Sequence, residues 1–92
     1  MAMKYTIDLK SVSTLHQLHE HLKQIFSLPE YYGMNMDALW DCLFCAFEEP
    51  VVIELLNTAS VPAALANSVK ILCSLLKRLE VEDENVTVVV QE

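Results

Sequence analysis

Glycine is nearly missing from this 92-residue chain, which has one, and proline is scarce at three. So few chain breakers argue against a disordered or linker-rich segment, and one glycine cannot build a glycine-rich phosphate loop. Positive charge is also short: six basic residues face thirteen acidic ones, for a net charge of −7. Phosphates demand the opposite sign, so direct nucleic-acid binding is disfavoured. No apolar run approaches the length of a membrane span, and the N-terminus lacks a basic-then-apolar export pattern. Neither a membrane role nor export is expected. The three cysteines are an odd set without dense spacing, which suits the reducing cytoplasm better than a disulfide scaffold.

What is present is a core. Apolar residues make up 53% of the chain, enough for one compact domain over residues 1–92 and too little length for a second. Lys4 to Leu9 alternates as a strand, with Tyr5, Ile7 and Leu9 on one face. Ser11 or Ser13 is a candidate cap for a helix whose buried stripe is Leu15, Leu18, Leu22, Ile25 and Phe26. That helix stops near Ser27, ahead of Pro29, and Gly33 is where a positive φ is easiest to accept. Asn35 caps a second helix expected to run to about Phe47, with Pro50 beyond it.

Val51 to Leu56 is apolar except for Glu54, the pattern of a buried parallel strand. A loop over Asn57 to Pro62 follows, with a helical turn expected at Pro62 to Leu65. Leu65, Val69, Leu72, Leu76 and Leu79 then mark a helix from about Ala63 to Glu80. Val86 to Val90 is the last strand. Strands separated by helical segments imply parallel pairing through crossovers. The expected fold is α/β, a three-stranded parallel sheet packed with three to four helices.

The charge distribution says more than its total. Lys4, Lys10, Lys23, Lys70, Lys77 and Arg78 all lie outside positions 24 to 69, while Glu30, Asp37, Asp41, Glu48, Glu49 and Glu54 lie inside. Solubility alone accounts for such a patch as readily as a basic partner does. The helix after Asn35 tips the balance. At about 100° per residue, Leu39, Leu43 and Ala46 form its core side, flanked by Cys42 and Phe47. Asp37, Asp41, Phe44 and Glu48 fall opposite within roughly 60°, and Trp40 borders them. Asp37 also suits the positive end of the helix dipole, and Asp41 and Glu48 could be ordinary solvated residues. An aromatic among carboxylates gains nothing from water, however. Aromatic and acidic side chains sharing one surface point to protein binding.

The sixteen residues Leu28-Pro29-Glu30-Tyr31-Tyr32-Gly33-Met34-Asn35-Met36-Asp37-Ala38-Leu39-Trp40-Asp41-Cys42-Leu43 resemble the signature of the barstar family of intracellular ribonuclease inhibitors. Weaker similarity runs through Leu18-His19, Glu48, Pro50, Glu54, Ser68-Val69 and the last strand. The resemblance implies a three-stranded parallel sheet with helices, and inhibition by plugging a nuclease active site with the second helix and its preceding loop. Tyr31, Asn35, Asp37, Trp40 and Asp41 fall on the family's binding positions. Asp41 matches the central carboxylate, which replaces a substrate phosphate among basic side chains, and Asp37 matches a second contact. The implied partner is a basic ribonuclease or related toxin, with no cofactor. A module on the same fold with a non-nuclease partner is the alternative.

Two departures stand out. Leu75 occupies the position of a further acidic contact on the last helix, and Glu80 lies five residues away on another part of that helix. Phe44 stands where the family has a small polar residue. Both make the contact surface more apolar, so a related but different target is expected. The segment between Pro50 and Ser68 is also shorter than the family's, which trims a third helix.

Other motifs weigh less. Cys42-x-x-Cys45 has redox or metal spacing, but it sits mid-helix near carboxylates, which disfavours a thiolate, and lacks further ligands. Cys73 reads as a small apolar filler. His16, His19 and His21 lack a carboxylate partner except Glu20, which is expected to point elsewhere, and His19 is expected to be structural. Asp37 and Asp41 as an acid–base pair would need a pocket that an exposed helix does not supply. No catalytic residue and no metal ligand is assigned.

Overall fold

Tyr5, Ile53 and Val88 stand in one row across three parallel strands, and that row shows how the chain is folded. The computed structural model describes residues 3–91. Its strands are β1 (Met3–Asp8), β2 (Val51–Leu56) and β3 (Val86–Gln91), in the order β1-β2-β3. Helices α1 (Leu15–Ile25) and α2 (Met36–Leu43) lie between β1 and β2, and α3 (Ala63–Glu82) lies between β2 and β3. The parallel sheet with three helices agrees with the expected α/β fold.

The helices cover a single face of the sheet. Ile7, Val51, Ile53, Leu55, Val86 and Val88 are buried beneath them, while Lys4, Thr6, Asp8, Thr87, Val89 and Gln91 are exposed on the other face. The apolar run of β2 therefore does not signal burial on both sides. Val52 and Leu56 are half-buried on the open face, and Glu54 between them is held by Lys4 at 3.3 Å and Gln91 at 3.1 Å. The edge of β3 is protected at Val88, whose N–H donates to Glu80 Oε2 at 2.6 Å and whose carbonyl accepts from Lys77 Nζ at 3.4 Å. These side chains occupy backbone groups that would otherwise template another strand.

Several boundaries differ from expectation for identifiable reasons. Thr14, not Ser11 or Ser13, caps α1, accepting from the Gln17 N–H. Within the α1 stripe Leu18 and Leu22 are fully buried, Ile25 and Phe26 half-buried, and Leu15 at the open end is exposed. The helix closes through Ser27, at φ 51°, with Leu28 N–H bonded to the Lys23 carbonyl and Ser27 N–H to that of Gln24. Positive φ in the next loop falls on Met34, not on Gly33. Gly33 instead serves close approach, since a Cβ there would lie 3.3 Å from both Ala38 Cβ and Asn35 Nδ2. The turn expected at Pro62 to Leu65 is present as the first turn of α3, with the Leu65 N–H bonded to the Pro62 carbonyl at 2.9 Å, and the loop before it holds a further 3₁₀ turn at Thr58–Ser60.

The largest change is at the end of α2, which stops at Leu43 and not near Phe47. Phe47 turns back to pack against the Tyr5 ring at 5.8 Å, and its carbonyl accepts from Asn85 Nδ2 at 3.0 Å. Cys45 takes a left-handed φ of 59° to allow this turn. Ala46 is consequently exposed, and Glu48 does not belong to the helix face.

Candidate functional site

The site begins with what holds α2 in place. Asn35 Oδ1 accepts the Ala38 N–H at 2.8 Å, and its Nδ2 donates to the Gly33 carbonyl at 3.0 Å. Such a cap contributes about 1 kcal/mol. Leu39 and Leu43, both fully buried, contribute about 1.5–3 kcal/mol each, so packing anchors the helix and the cap sets its start. Behind the cap, the Tyr32 hydroxyl donates to the Asn35 carbonyl at 3.3 Å and sits 2.7 Å from buried His19 Nδ1. Burial lowers the His19 pKa and raises that of Tyr32 to about 12, so both are neutral near pH 7. A chain of polar groups thus runs from α1 through the loop to the first turn of α2.

Along α2 the sequence-predicted residues separate into two groups. Asp37 and Trp40 line a groove against α3, closed by Ile71, Leu75 and Arg78, with a volume of about 350 Å³. Tyr31 and Asp41 line a second depression, of about 450 Å³, on the side of the loop that precedes α2. The helix is therefore a ridge between two hollows. Asp37 and Asp41 are both exposed on it, and among the described residues neither has a cationic side chain within 4.0 Å. Tyr31 is 88% exposed, too much for a core role. Asn35 is exposed at the base of the ridge, with its side chain already engaged in the cap.

Phe44 has an intramolecular explanation that periodicity did not reveal. It ends α2, donates its N–H to the Trp40 carbonyl at 2.8 Å, and stacks on the Trp40 ring at 5.3 Å. Arg78 Cζ lies 5.0 Å from the centre of the same indole. Trp40 is thereby fixed between neighbours from its own helix end and from α3. Arg78 also means that the acidic window, free of basic residues in sequence, has one beside it in space. Sequence spacing alone could not show this, because 38 positions separate Arg78 from Trp40. Glu80 does not stand in for the acid missing at Leu75, since its carboxylate is bonded to β3.

The remaining candidates resolve locally. Glu20 does not point away from the histidines but reaches His16 at 3.8 Å, while His19 turns into the core. Cys42, Cys45 and Cys73 are free, and burial raises the Cys73 thiol pKa. Among the described residues no cluster of three or more His, Cys, Asp or Glu is placed to hold a metal ion. No described helix is long and apolar enough to cross a membrane.

A ridge with unpaired carboxylates and fixed aromatics on a parallel α/β frame can be compared with known proteins. The chain is 41% identical over 54 residues to a Bacillus subtilis (strain 168) protein named “Putative ribonuclease inhibitor YrdF”. That stretch is 59% of this chain and 59% of the relative, less than two thirds of its length. The family described as Barstar (barnase inhibitor) matches residues 2–91, nearly the whole chain. The chain belongs to the barstar family.

Proposed function

We propose that this protein, acting in the cytoplasm as one domain over its 92 residues, inhibits a basic ribonuclease or related toxin by inserting the α2 ridge into its active site. The observation that carries this reading is the pair Asp37 and Asp41, exposed on one helix without a cation within 4.0 Å among the described residues. Two like charges four positions apart repel modestly on a helix, so the fold gains little from them. A phosphate-binding cleft gains much. Its arginines and lysines are costly to desolvate unless paired, and carboxylates on an anchored helix reach them without losing chain freedom.

The other residues then have distinct roles. Asp41 takes the place of a substrate phosphate, and Asp37 supplies a second contact. Tyr31, Trp40 and Phe44 exclude water around them, Leu75 extends the apolar margin on α3, and Asn35 fixes the start of the helix. The protein performs no catalysis and contacts no nucleic acid in this reading. It blocks access.

The test is capture from the source cell on immobilised protein, with an Asp37→Ala/Asp41→Ala variant as control. The expected result is a basic protein retained by the wild type alone, whose RNA cleavage appears once it is released. A retained protein without ribonuclease activity, or equal retention by the variant, would contradict the reading.

A further inference from the structure

The groove between α2 and α3 differs chemically from the rest of the ridge. Its walls are Met36 and Trp40 on one side and Ile71 and Leu75 on the other, and Ile71 is 46% exposed. Asp37 and Arg78 both line it, yet no salt bridge joins them among the described residues. At about 350 Å³ it lies at the low end of the roughly 300–1,000 Å³ range of pockets that enclose a compact group.

Opposite charges on one groove restrict what enters. Asp37 can pair with a cation at the exposed lip of the groove, but a lysine or arginine entering the groove itself meets the Arg78 guanidinium, which lies 5.0 Å from the centre of the Trp40 ring. A carboxylate drawn to Arg78 meets Asp37 and the protein's overall charge of −7. An uncharged apolar side chain meets neither repulsion, and it covers the exposed surface of Ile71, Leu75 and Trp40.

We infer that this groove is the specificity pocket of the inhibitor, and that it takes one large apolar side chain from the rim of the ribonuclease cleft that α2 enters. The inference rests on the proposed inhibitory role and narrows it. The target presents basic residues to Asp41 and, beside them, an aromatic or long aliphatic residue to Leu75. Leu75 and Arg78 set this choice together, the first by supplying apolar surface and the second by excluding cations.

A library of the ribonuclease captured on the wild-type protein, made catalytically inactive and randomised at single positions around its active-site rim, tests this when selected separately against the wild-type protein, Leu75→Glu and Arg78→Gln. Circular dichroism first establishes that both variants are folded. The wild type should return one rim position at which Phe, Tyr, Leu or Met is enriched at least tenfold over Lys and Arg. Leu75→Glu should reverse that preference at the same position, and Arg78→Gln should reduce it. Basic residues preferred by the wild type, or the same preference with all three proteins, would overturn the inference while leaving the inhibitory reading intact. Binding of the captured ribonuclease that survives randomisation of every rim position, with no position showing a preference, would overturn both.

Discussion

The open face of the sheet and the α2 ridge both display carboxylates to solvent, but only one of the two regions supplies them with partners. On the sheet side Glu54 is held by Lys4 and Gln91, and Asp8 by Asn57 Nδ2 at 2.8 Å and the Lys10 N–H at 3.0 Å. The Asn57 hydrogen bond, then that of Lys10, lowers the Asp8 pKa. On the ridge Asp37 and Asp41 have no such ion pair among the described residues. The difference separates acids held by the fold's own groups from acids that the described residues leave without an ion pair. Charge count alone treats them as equivalent.

The sharpest way to break this comparison is to remove one acid from each region. Asp41→Ala should weaken ribonuclease binding by about 2 kcal/mol or more, roughly 30-fold, a hot-spot scale to which the barnase–barstar pair itself contributes. Its urea midpoint should barely move, because the residue is exposed and unpaired. Glu54→Ala should leave binding unchanged, as measured by calorimetric titration. Glu80→Ala should behave in the opposite way to Asp41→Ala. It frees the Val88 N–H at the sheet edge and should cost about 1–2 kcal/mol of stability, discounted for partial exposure, with no effect on affinity.

A smaller effect concerns the support beneath the ridge. Tyr32→Phe removes the hydroxyl between His19 and the Asn35 carbonyl, and should cost about 1 kcal/mol of stability. His19 adds a pH dependence of known sign. Its folded pKa lies below its ordinary 6.5, so in the window between the two values the unfolded chain binds more protons. The His19 contribution is therefore fully present above 6.5 and is lost as pH falls through the lowered folded pKa. Urea midpoints measured from about pH 7 to about pH 5 should fall, and His19→Gln should flatten that slope.

The smallest effect is kinetic. Raising salt from about 0.1 M to about 1 M shortens the screening length from about 10 Å to about 3 Å. Association driven by the ridge should slow accordingly, and the Asp37→Ala/Asp41→Ala variant should lose most of that salt dependence. Equal salt dependence in both proteins would place the steering charge elsewhere.

Much of the frame was legible because its signals are local. Alternation marked the strands, helical spacing marked Leu18, Leu22, Leu39 and Leu72, and β2 runs over Val51–Leu56 as its apolar pattern indicates. The end of α2 was not legible, because Phe47 leaves the helix to meet Tyr5, far away in sequence. Two-sided burial of β2 was a reasonable reading of Val51 to Leu56, yet the open face tolerates Val52 and Leu56 at half burial. The same limit applies to the site. Spacing alone placed Asp37 and Asp41 on one face with Trp40 at its border, but not the division that sets Asp37 and Trp40 in one hollow and Asp41 in another. The Phe44 stack and the arrival of Arg78 are tertiary events, and they changed an exposed aromatic among acids into a braced indole with a cation beside it.

The central claim is that the acidic ridge occupies the site where RNA is cut. The most direct measurement is the apparent inhibition constant against the captured ribonuclease, determined at rising concentrations of an RNA substrate. Occlusion predicts that the constant rises in proportion to RNA, because ridge and phosphates compete for the same basic side chains. A constant independent of RNA concentration would contradict the account.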